Sequence, residues 1–159
     1  MKKTAVLALA LLSLWSCKKK DDLDDDHHHE EEVITSVYLT LSDTAGNQYE
    51  AAFVDLDGPG GDAPSRMDSL VLDQYMSYQA SLRILNESET PAEDIGAEIL
   101  AEADEHFVCY EFGDLATFTV EYLDSDGTYP LGLVTNWESQ PFGAMRDTVT
   151  IRVKHQPNG

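Results

Sequence analysis

From Val33 onward, apolar and polar residues alternate with a period of two along most of the chain. Val33 to Leu41 places Thr35, Val37, Leu39 and Leu41 on one face. Tyr49 to Leu56 is a second run, stopped by Asp57-Gly58-Pro59-Gly60-Gly61, and Ser69 to Leu72 is a shorter third. Tyr78 to Leu85 aligns Tyr78, Ala80, Leu82 and Ile84, and Phe107 to Phe112 follows. Ala116 to Leu123 aligns Phe118, Val120 and Tyr122; Leu131 to Trp137 aligns Leu131, Leu133, Thr135 and Trp137. Thr148 to Lys154 turns Val149, Ile151 and Val153 inward and Thr148, Thr150, Arg152 and Lys154 outward. Successive strand residues point to opposite faces, so this pattern describes strands with one dry and one wet side. Seven or eight such runs between Gly, Pro and Asp turns predict a mainly β chain, a single immunoglobulin-like β-sandwich.

One segment departs from the pattern. Thr90-Pro91-Ala92-Glu93 reads as a capping box, with Thr90 as the cap and proline at the first helical position. Ile95, Ile99, Leu100 and Ala103 then recur at helical spacing. The expectation is one short helix from about Pro91 to Asp104, lying across an end or edge of the sandwich with its acidic side in water.

The first 32 residues follow other rules. Met1-Lys2-Lys3 is a positive start, and Thr4 to Leu14 is apolar except for Thr4 and Ser13. That run is shorter than the roughly 20 residues a bilayer span requires and fits a secretory signal, residues 1–16. Residues 17–32 carry Lys18 to Lys20, five aspartates between 21 and 26, His27 to His29 and Glu30 to Glu32, with Leu23 the sole apolar residue. So little apolar surface cannot offset the entropy of ordering, which predicts a disordered tether. Residues 33–159 have the size of one domain with one core.

Charge narrows the functional classes. Residues 33–159 hold 22 acidic side chains against Arg66, Arg83, Arg146, Arg152 and Lys154, a net −17. No Lys or Arg lies between Arg83 and Arg146. Such a surface repels phosphate backbones, which excludes nucleic acid as a partner, and draws cations. Cys17 and Cys109 are the only cysteines. With Cys17 at the signal junction, Cys109 is expected to act as a small buried hydrophobe rather than a redox centre.

The predicted helix aligns Glu98, Glu102 and His106 at intervals of four, with Asp104 and Glu105 beside them. Carboxylates and an imidazole suit Zn2+ or another divalent ion. His155 ends the last strand and is the other imidazole of residues 33–159. The candidate metal ligands are therefore His106, His155, Glu102 and Glu105. The same spacing also describes a solvated acidic face with His106 as a cation at the helix C-terminus. In the tether, His27, His28 and His29 form a His-acid tract that binds metal loosely or serves as a solvated spacer. Asp55-Leu56-Asp57-Gly58 and Asp124-Ser125-Asp126-Gly127 carry calcium-type oxygens but lack the full loop spacing, and read as turns. There is no His-Glu-x-x-His, no Gly-x-Ser-x-Gly and no phosphate loop. The expectation is that the chain is not an enzyme.

Leu14-Trp15-Ser16-Cys17 resembles the bacterial lipobox, in which Cys17 becomes the acylated mature N-terminus. Lys19-Lys20-Asp21-Asp22 resembles the export signal of surface lipoproteins in Bacteroidetes. A wider resemblance follows from Leu85-Asn86-Glu87-Ser88, Pro91-Ala92-Glu93-Asp94-Ile95, Glu98-Ile99, Glu102-Ala103-Asp104-Glu105-His106, Pro130-Leu131-Gly132-Leu133 and His155-Gln156-Pro157. These look like small Bacteroidetes lipoproteins with His/acid-rich tethers, found with TonB-dependent receptors. Some of that set carry the label type 1 periplasmic binding fold, a two-lobed architecture needing about twice this body. The resemblance implies a lipid anchor at Cys17, an outer-membrane and cell-surface address, and an accessory role in uptake by a TonB-dependent receptor. Joined to the acidic surface, it suggests capture of a divalent metal or metal complex. The alternative is a structural or adhesive module of the cell envelope with no small ligand.

Overall fold

The computed structural model describes residues 32–58, 60–113, 117–141 and 146–155. Eight strands and one helix run in the order β1 (Ser36–Asp43), β2 (Gln48–Val54), β3 (Arg66–Met67), β4 (Ser77–Leu85), α1 (Ile95–Ala101), β5 (His106–Phe112), β6 (Phe118–Tyr122), β7 (Val134–Ser139) and β8 (Val149–His155). All pairings are antiparallel. One sheet has six strands ordered β3-β2-β1-β4-β7-β6; the other has β5 and β8 alone. The chain is mainly β, and its two sheets pack as a sandwich. The narrower immunoglobulin-like description rests on strand count and turn spacing.

The alternation places the core. Leu39, Leu41, Tyr78, Ala80 and Trp137, inward on β1, β4 and β7, form one buried cluster. Tyr110 and Phe112 of β5 meet Trp137 edge-on, with ring centroids 5.4 and 5.1 Å away. The indole N–H is satisfied by Thr135 Oγ1 at 2.8 Å, which lets the ring be buried. A second cluster joins Ile84, Val108, Leu131 and Leu133 to Ile95 and Ile99 of α1, with Ile151 and Val153 of β8 packed against it. The helix therefore closes one end of the sandwich.

Two local expectations need correction. Residues 69–72 form no strand; the short strand is Arg66–Met67. Leu70 and Leu72 instead pack from a loop against the Tyr78–Trp137 cluster while Val71 points to water, which reproduces a period of two without pairing. The helix begins later than the capping box suggests. Asn86 and Glu93 exchange both backbone hydrogen bonds, 3.1 and 3.0 Å, so the Glu93 N–H is already engaged and cannot serve a Thr90 cap. Thr90 and Pro91, joined by a cis peptide, belong to the preceding turn. Asp94 is the N-cap, its carboxylate accepting from Ala97 N at 3.1 Å. Cys109 is half-buried rather than buried.

Candidate metal centre

α1 is short because its apolar stripe is short. Ile95 and Ile99 are buried, and the helix ends at Glu102, whose N–H donates to Glu98 O at 2.9 Å. Glu105 N then donates to Glu102 O, and the chain enters β5 at His106. The β5–β8 register sets His106 directly opposite His155, with ring centroids 5.2 Å apart. The two imidazoles of the domain thus meet at one end of the small sheet, beside the helix C-terminus.

The His106 side chain is fully buried and both ring nitrogens are engaged. Nδ1 lies 3.0 Å from the backbone carbonyl of Glu102, and Nε2 lies 2.7 Å from Glu32 Oε1. A carbonyl only accepts, so Nδ1 carries a proton. Nε2 faces Glu32 Oε1 and is the ring position that can take a proton or a metal cation. An imidazole whose second nitrogen is tied to a backbone carbonyl is the usual arrangement of a metal-bound histidine.

A second carboxylate, that of Glu102, lies within reach of this ring. Glu32, Glu102 and His106 each offer a ligand atom within 4.8 Å of the others. The Glu98 carboxyl is pushed above its ordinary range, by burial first, then by Glu93 and by Glu32 and Glu102. Four glutamates therefore share one pole, and their mutual repulsion favours a cation among them.

The structure divides the expected ligands. His106 and Glu102 come together, joined by Glu32. His155 and Glu105 form an adjacent pair, His155 Nε2 to Glu105 Oε2 at 3.2 Å, on the more exposed side. Glu32 was expected in the tether; it reaches His106 across 74 positions. Its only sequence signal is its place as the last of three glutamates before the first alternating run. Cys17, His27, His28 and His29 lie outside the described residues.

Other carboxylates are engaged differently. Asp124 Oδ1 accepts from Gly132 N at 2.7 Å and Oδ2 from Val134 N at 2.9 Å, while Asp126 accepts from Thr128 and Tyr129 N. Asp124-Ser125-Asp126-Gly127 is a structural turn, as its spacing suggests. Asp43 closes the β1–β2 hairpin by accepting from Ala45 N, Asn47 N and the Asn47 amide, and the amide leads in holding its carboxyl below the usual range. Asp55 begins a longer connection between β2 and β3. Its Oδ1 is enclosed without a hydrogen-bond partner among the described residues, and burial, then Asp57, push its carboxyl up.

No protein-family model, no curated protein and no solved structure matches this chain. The site is therefore read from its own geometry. Among the described residues, no helix is long and apolar enough to cross a membrane.

Proposed function

We propose that the chain is an outer-membrane, surface lipoprotein that captures a divalent metal ion, zinc or a chemical relative, or a small metal complex, for a TonB-dependent uptake receptor. The address rests on Leu14-Trp15-Ser16-Cys17 and the lysines and aspartates after it. One observation carries the metal reading: His106 holds its Nδ1 proton against the Glu102 carbonyl and turns Nε2 toward Glu32, with ligand atoms of Glu32 and Glu102 within 4.8 Å of one another and of the ring. Glu32, Glu102 and His106 would supply three donors, and zinc's fourth position would take water or part of the incoming complex. His27, His28 and His29 would add looser sites that raise the local metal concentration.

Calorimetric titration of the full chain with zinc tests this. A fragment beginning at Val33 lacks Glu32 and is unsuitable. One saturable tight site is expected beside weaker ones. Glu32→Gln and Glu102→Gln, which keep the shape, should abolish the tight site; replacing His27, His28 and His29 with Asn should remove weaker ones only. Affinity should fall on acidification, because protons compete for the same ligand atoms. A tight site that survives both glutamine variants contradicts the assignment. The alternative, a structural or adhesive module of the cell envelope with no small ligand, is favoured by an exposed apolar groove lined by Val37, Phe53, Met67 and Val149.

A further inference from the structure

Glu32 differs from the other two candidate donors in where the chain carries it. Glu102 ends α1 and His106 begins β5, so both sit on one corner of the fold. Glu32 lies on the lead-in to β1, 74 positions from His106. Thr35 is stitched into the sandwich. Its N–H donates to Leu85 O at 3.1 Å, its carbonyl accepts from Asp55 N at 2.9 Å, and its Oγ1 accepts from Glu87 N at 2.7 Å. Ahead of Thr35 the hold is lighter. Ile34 is partly buried against the cluster containing Ile84, Ile95 and Ile99, while Val33 is 56% exposed. The Glu32 carboxylate then reaches His106 Nε2 at 2.7 Å, with its side chain 24% exposed. Residues 32–34 therefore form a short strap over the acidic pole, fastened at one end by Thr35 and at the other by a donor to the candidate site.

A strap whose outer fastening is a metal donor couples two equilibria. A cation that takes Glu32 favours the closed strap, and an open strap withdraws one of the three donors. The coupling is reciprocal: whatever the metal adds to closure, opening subtracts from affinity. We propose that Glu32 is a detachable ligand, so that metal at the pole closes the strap of residues 32–34 and drawing the strap off the pole releases the metal. This rests on the metal reading above and adds to it the route of release. Opening leaves both sheets intact, because the bonds of Thr35 to Leu85, Asp55 and Glu87 lie inside the strap's fixed end. The chain ahead of Glu32 is continuous with it, so a partner that pulls on that chain acts directly on a metal ligand. A capture protein that must give up its cargo gains a release step in this way.

The test uses the full chain with His27, His28 and His29 replaced by Asn, so that those imidazoles add no signal. Calorimetry with zinc establishes the tight site, and amide exchange by NMR then follows the strap. One equivalent of zinc should slow exchange at Val33 and Ile34 by about tenfold or more, beyond any change at Ala45 and Asn47 in the β1–β2 hairpin. Ile34→Ala, which loosens the strap without touching a donor, should weaken zinc binding by about tenfold. Val33→Gly, at an exposed position, should weaken it by about two- to fivefold and serves if Ile34→Ala perturbs the core. Tight zinc binding with unchanged exchange at Val33 and Ile34, or with slowing no greater than in the hairpin, overturns the strap and leaves the metal reading standing. Unchanged zinc affinity in both variants does the same. No tight zinc site in the parent overturns the metal reading and the strap with it.

Discussion

Asp124 and Glu98 are carboxylates on the same highly acidic chain, and their surroundings are opposite. Asp124 sits in the connection from β6 to β7 and accepts two backbone N–H bonds, from Gly132 and Val134. Glu98 sits on α1 and faces Glu93, Glu32 and Glu102, so its carboxyl is pushed up. In the first region negative charge is matched by fixed donors and holds the loop. In the second it is matched by one imidazole, His106, and repulsion remains. Net charge alone does not distinguish them; the supply of N–H donors does. A ligand cation has something to gain only at the second.

The sharpest way to break this comparison is Asp124→Ala. It strands two amides at once, at Gly132 and at Val134, the first at a backbone φ of +101°. Denaturant unfolding should show a loss of about 2–4 kcal/mol. A loss no larger than that of an ordinary surface substitution would show the loop does not need its charge.

A smaller effect is expected within the acidic pole, where Asp94 behaves like Asp124 by capping α1. Asp94→Ala should cost about 1 kcal/mol, and Thr90→Ala almost nothing. Equal losses in the two variants would restore Thr90 as the cap.

The smallest effect carries the opposite sign. Glu98 has a raised folded pKa, so its contribution is present at low pH and lost as pH rises through that value. Metal-free Glu98→Gln should therefore be slightly more stable than the parent near pH 7, within about 0.5 kcal/mol, and the gain should vanish toward about pH 4. Asp43 and Glu87 run the other way. Asn47 holds Asp43 down, and the Ser36 hydroxyl leads in holding Glu87 down, so their support is lost as pH falls through their folded values. Thermal unfolding across this pH range separates the two groups. A Glu98→Gln variant less stable near neutrality would remove the repulsion on which the proposed cation binding rests.

Much of the fold was legible because a buried strand face imposes a local, period-two constraint. Thr35, Leu39 and Leu41 on β1 and its lead-in, and Leu131, Leu133, Thr135 and Trp137 through β7, are buried as their alternation implies. Leu70 and Leu72 mimic that pattern from a loop, since filling a core end needs no pairing. The helix start was misread because Thr90-Pro91-Ala92-Glu93 is a four-residue signature, while the Asn86–Glu93 bridge that overrides it spans seven residues and begins outside that signature. The site divides in the same way. Glu102 and His106 are four apart on one chain segment and stood out by spacing. Glu32 lies 74 positions from His106, and the His106–His155 pairing follows from strand register, which no local pattern encodes.

The most direct measurement is anomalous X-ray scattering at the zinc edge from crystals of the full chain grown with one equivalent of zinc. The account predicts one dominant peak bonded to His106 Nε2 and to the Glu32 and Glu102 carboxylates, at roughly 2.0–2.2 Å. A peak at the His155–Glu105 pair alone, or none within the described domain, would contradict it.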